Sequence, residues 1–151
     1  MPKRSPTNTR AIRPRWFRGA NVPMSVIRRY ARAVAERFAP EKIILFGSHA
    51  YGKPHADSDV DILVVMPAAR NEIDQAIRID RAVDPEFPLD LIVFAPKNVA
   101  WRLKEGDSFL REIMTKGKVL YEKADGPMGT KGRVGLRRGK EARTRKRFVS
   151  R

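Results

Sequence analysis

The sequence predicts an α/β (α+β) domain, a small mixed β-sheet flanked by helices, and three observations predict it. Short apolar runs of strand length alternate with segments of helical periodicity from about residue 25 to residue 123. Proline or glycine stands at nearly every boundary between them. The excess charge lies outside that stretch: residues 1–30 carry eight basic and no acidic side chains and residues 124–151 ten basic and two acidic, while 31–123 is close to neutral.

Taken in order, Ile27, Tyr30, Val34 and Phe38 recur at steps of three and four, the apolar face of a first helix. Ser25 is placed to cap it and Pro40 to end it. "KIILFGS" is a short buried strand running into Gly47, and the polar stretch from there to Ser58 has room for one short helix. "VDILVVM" is a second strand, closed by Pro67. "NEIDQAIRIDRAV" has the period of a helix and stops at Asp84-Pro85. "LDLIVFA" is a third strand, closed by Pro96. "KNVAWRLKEG" and "SFLREIMTKG" are helices that each end in glycine, and "KVLYEK" is a last, edge strand. Helices alternating with strands in this way pack as layers on a sheet.

Length and composition exclude several classes. At 151 residues and 42% hydrophobic content the chain suits one domain with tails. It has no cysteine, so a disulfide scaffold, a thiolate metal site and a thiol nucleophile are excluded. No apolar run approaches the ~18 residues that cross a bilayer, and the basic N-terminus lacks the apolar stretch of a secretory signal. The expectation is a cytoplasmic protein without membrane contact. The net charge of +15 favours an anionic partner. The expected organisation is a basic, flexible arm over 1–22, the domain over 23–123, and a basic, disordered tail over 124–151, too poor in large apolar residues to offset its ordering entropy. Such arms suit non-specific RNA contact through phosphates. With few aromatics among them, base readout is not expected.

The chemistry concentrates in "LFGSHAYGKPHADSDVDILVV". Gly47 and Gly52-Lys53 have most of the spacing of a P-loop, but Pro54 stands where that loop needs a hydroxyl and a helix start. Asp57, Asp59 and Asp61 alternate as in a calcium loop, but Ile62 and Ala68 stand where its glycine and glutamate belong. The pattern that fits is a nucleotidyl-transfer site: Gly47-Ser48, ten residues, then Asp59-x-Asp61 at the mouth of a strand. Residues i and i+2 of a strand share a face at ~6.5–7 Å. Two carboxylates placed so repel by roughly 2–3 kcal/mol at an effective dielectric of about 20, and a pair of divalent ions ~3.5–4 Å apart relieves that repulsion. Asp90, the one polar residue within "LDLIVF", offers a third carboxylate from a neighbouring strand. A tight glycine turn after a strand offers backbone N–H groups to phosphate, and Ser48 adds a hydroxyl.

"GSHAYGKPHADSDVDILVV", followed by "LDLIVF" and by "REIMTKGKVLYEK", resembles the minimal nucleotidyltransferase (MNT) family of the polymerase-beta-like nucleotidyltransferase superfamily, over about residues 25–123. The resemblance implies the nucleotidyltransferase fold, with ATP as substrate. It implies that Gly47 and Ser48 grip the triphosphate, that Asp59 and Asp61 hold two magnesium ions (or manganese), and that Asp90 completes the site. Family members often carry arginine before the second glycine of the turn, where this chain has Tyr51; Lys53 stands close enough in sequence to replace its charge in nucleotide binding. The resemblance also implies a partner. Many MNT proteins are antitoxins paired with an all-helical HEPN ribonuclease toxin, which they can block by transferring AMP to a toxin tyrosine.

The remaining polar residues have blander readings. His49 and His55 lack a third metal partner and read as exposed or phosphate-contacting. Asp57 and Ser58 read as turn residues, Trp101 as core or partner interface, and Asp80 and Asp84 as solvated. The expected function is metal-dependent transfer of AMP from ATP to a hydroxyl of a partner protein, with an antitoxin acting by contact alone, or a small-molecule or tRNA nucleotidyltransferase, as alternatives. Nearly all of the expected core is needed for sheet and site, which leaves the placing of the acceptor to a folded partner.

Overall fold

The computed structural model describes residues 17–124 and the backbone of 146–148; expectations for the rest of the two basic ends lie outside the described residues. The elements run α1 (Met24–Phe38), β1 (Lys42–Phe46), α2 (Ser48–Tyr51), β2 (Val60–Val65), α3 (Glu72–Ala82), β3 (Leu89–Phe94), α4 (Pro96–Lys104), α5 (Ser108–Lys116), β4 (Lys118–Lys123) and β5 (Lys146–Phe148). The sheet order is β3-β2-β1-β4-β5. β2 and β3 are parallel, with α3 as their crossover, and the other pairs are antiparallel, so the sheet is mixed as the sequence predicts. β1 and β2 lie inside it with helices on both sides, which is why they read as unbroken apolar runs.

Two local expectations are corrected. β4 is not an edge strand, because Tyr121 pairs with Phe148 of β5. A three-residue strand in a run of basic residues carries no apolar alternation by which to recognise it. Helix α1 begins at Met24, with Pro23 in the capping position at φ −70° and ψ 147°, so Ser25 lies in the first turn and caps nothing. Proline suits a helix entry because its φ is preset and it brings no N–H to satisfy. Helices α3 and α5 are capped by side chains: Asn71 accepts from the Asp74 N–H at 2.8 Å and Asp107 from the Leu110 N–H at 3.0 Å.

Strand alternation divides the core. Ile43, Leu45, Ile62 and Val64 face α1 and α3. Ile44, Phe46, Leu63 and Val65 face α4 and α5. The fold also takes in residues ahead of 23: the Phe17 N–H donates to the Glu86 carbonyl at 2.9 Å, and Gly19 is buried so tightly that a Cβ there would overlap the Ala56 carbonyl.

Candidate active site

β1 ends at Phe46, and Gly47 follows at φ 76° and ψ −164°, backbone geometry open in practice only to glycine. It turns the chain into α2, which Gly52 closes in the left-handed conformation at φ 83°. A Cβ at Gly47 would also overlap the Asp61 carboxylate. Glycine is therefore required twice here, for the turn and for clearance.

Strand register gathers the acids. Phe46 pairs with Asp61 across β1 and β2, and Asp61 with Asp90 across β2 and β3. Period two places Asp61 and Asp90 on the α4/α5 face, in line with Leu63 and Ile92. Asp59 is exposed just before β2. The half-buried Asp61 carboxyl is pushed up to about 6, first by burial and then by the Asp90 and Asp59 charges; a hydrogen bond shared with Asp90 adds to this and His49 opposes it. Asp61 and Asp90 relieve part of their repulsion through that bond, as crowded carboxyls do. Among the described residues no three His, Asp or Glu side chains are already closed into a ligand set. The donor chemistry nevertheless fits a divalent cation: three hard oxygen donors crowd their negative charge about Asp61. Asp59, Asp61 and Asp90 would hold it.

The phosphate-binding candidates fare differently. Ser48 opens α2, where a helix leaves its first N–H groups without intrahelical acceptors. Lys53 is exposed on the following loop, and among the described residues its side chain meets none of the three acids. Tyr51, where family members often have arginine, packs its ring against the α1/α3 core.

His49 is the residue whose role the sequence concealed. It is buried rather than exposed, with Nε2 2.9 Å from the Gly19 carbonyl oxygen and Nδ1 3.2 Å from that of Asp59. It thus ties the segment before α1 to the entry of β2. Neither partner is local, so no sequence spacing announces the contact. Ser58 does form a turn, its Oγ accepting from the His55 N–H at 2.8 Å. His55, Asp57, Asp80 and Asp84 are exposed. Trp101 is exposed too, so it is not a core residue.

The family model of the nucleotidyltransferase domain matches residues 27–120, from α1 into β4, and includes all three acids. The chain belongs to that family. In this nucleotidyltransferase domain the Gly47 turn, Asp61 and Asp90 stand at one end of the sheet. The chain is also similar to a candidate nucleotidyltransferase from Sulfolobus solfataricus with a crystal structure, at 21% identity over 68% of this chain and 83% of that one, with a TM-score of 0.47. No curated protein matches the chain at a significant level. Among the described residues no helix is long and apolar enough to cross a membrane.

Proposed function

We propose that this nucleotidyltransferase domain transfers AMP from ATP to a hydroxyl of a partner protein, a tyrosine in the simplest case. On this reading the partner is a HEPN-type ribonuclease toxin, silenced in the cytoplasm by the modification. The observation that carries the reading is the register Phe46–Asp61–Asp90, which brings the acids to the point where Gly47 turns the chain. Gly47 and Ser48 bind the triphosphate through backbone N–H groups and the Ser48 hydroxyl, and Lys53 screens its charge from the loop. Asp59, Asp61 and Asp90 would hold magnesium or manganese, which when bound would neutralise the triphosphate and acidify the attacking hydroxyl. Asp90 accepts the hydroxyl proton as the acceptor oxygen bonds to the α-phosphorus and pyrophosphate leaves.

A protein partner is supported by an exposed apolar surface at the edge of the sheet. β3 forms one edge of the sheet. Next to it α3 exposes Ile73 and Ile77, at 75% and 45%, over a groove of about 610 Å³ that Leu89 and Leu91 also line. An apolar surface of this kind suits a protein partner; Leu89 and Leu91 place it on the α1/α3 face of β3, while Asp90 projects on the other. Any RNA affinity is assigned to the basic ends and should fall steeply with salt.

The test is co-expression with a candidate toxin followed by intact-mass and peptide analysis. Adenylyl groups on a toxin tyrosine are expected with the wild-type chain and are lost with Asp90→Ala while the complex persists. A toxin neutralised without modification, by wild type and Asp59→Ala alike, would establish action by contact instead.

A further inference from the structure

Phe109, in the first turn of α5, is 47% exposed. Its ring stands edge-to-face with Phe46, centroids 5.7 Å apart and planes at 87°. Phe46 is the last residue of β1, directly before Gly47, and the cross-strand partner of Asp61. Side chains opposite one another on neighbouring antiparallel strands lie on one face. Phe109 therefore stands on the same face of the sheet as Asp61 and Asp90, separated from the glycine turn by a single ring. A T-shaped contact leaves at least one ring face of Phe109 uncovered by Phe46. The phosphate and carboxylate chemistry of the site makes no use of it.

A nucleoside triphosphate held by its phosphates at Gly47 and Ser48 must carry its base away from the acids by the width of a ribose. An exposed aromatic ring on the acids' face, packed on the residue that leads into the glycine turn, is a surface on which that base can stack. We propose that Phe109 is the floor of a nucleobase subsite, on which the purine ring of ATP lies. The proposal rests on nucleotidyl transfer at the acids, and is independent of which acceptor receives the nucleotide. Stacking is tolerant of base identity because every base has a π-face. The subsite should therefore favour purines over pyrimidines by ring area and distinguish ATP from GTP only weakly.

The alternative role of Phe109 is to shield Phe46 from water. Leucine would keep that cover and lose the aromatic face, so Phe109→Leu separates the two roles. The experiment is calorimetric titration of the full-length protein in magnesium with ATP, CTP and inorganic tripolyphosphate, which has the phosphates and no base. Phe109→Leu should weaken ATP about tenfold, erase most of the preference for ATP over CTP, and leave tripolyphosphate unchanged, and Phe109→Trp should restore ATP. Undiminished ATP affinity in Phe109→Leu, or an equal loss of tripolyphosphate, would overturn the subsite while leaving the phosphate site standing. A wild-type protein that binds neither ATP nor tripolyphosphate would overturn both.

Discussion

The two faces of the sheet are unequal. On one, α1 and α3, of 15 and 11 residues, cover the larger core, in which Ile43, Leu45, Ile62, Val64 and Phe87 are completely buried. On the other, α4 and α5 have 9 residues each, and cover a smaller cluster around Ile44, Leu63, Leu110 and Ile113. Trp101 and Phe109 are left exposed there. Asp61 and Asp90 project on this thinner side, at the end where the packing stops. A sealed face would have to bury carboxylates at a cost of several kcal/mol each (about the effective penalty for an ion in protein). The thick face can hold the fold together because the thin one is free to hold charge.

Substitutions can break or sharpen that division. The largest effect should come from Asp61→Asn, which is expected to abolish nucleotidyl transfer yet raise the thermal midpoint near neutral pH. It removes a charge that burial, Asp90 and Asp59 all oppose. An assay for pyrophosphate release paired with thermal melting would show both; a lowered midpoint would mean that Asp61 supports the fold and does not strain it. On the thick face, Phe87→Ala should do the reverse. That ring is fully buried and packs at 5.8 Å against Tyr30, so its loss should cost about 3–5 kcal/mol by denaturant unfolding, with transfer per folded molecule retained.

Gly47→Ala lies at the junction of the two regions and should damage both properties. The positive φ costs about 1–3 kcal/mol in a non-glycine residue, and the new methyl displaces the Asp61 carboxylate. An alanine variant with normal stability and normal transfer would remove the glycine turn from the account of the site.

The smallest effect is a pH dependence. Asp61 titrates near 3.8 when unperturbed and at about 6 in the fold. Between those values the folded state holds more protons than the unfolded one. Stability from this group is thus complete below pH ~4 and is lost as pH rises through ~6. Because the carboxyl is only half-buried, the amplitude should be no more than about 1 kcal/mol. Magnesium at pH 7 should return the loss and EDTA should withdraw it, as melting curves at each pH would record. Asp61→Asn should flatten the profile.

The sequence by itself determines the element order from α1 to β4 and the positions of the three acids. The signals behind them are local: period two in the strands, periods of three and four in the helices, proline and glycine at the boundaries, and an acid pair two residues apart after a glycine-serine turn. The tertiary structure alone decides what depends on contacts between distant segments. Register across β1, β2 and β3 sets Asp90 beside Asp61, whose pKa is raised first by burial and then by the Asp90 and Asp59 charges. Packing buries His49 between the carbonyls of Gly19 and Asp59 and lays Tyr51 against the core. β5 takes the sheet edge from β4, and Phe109 meets Phe46 from a helix more than sixty residues away. None of these has a spacing in the chain, because each is a property of which surfaces meet once the sheet has formed.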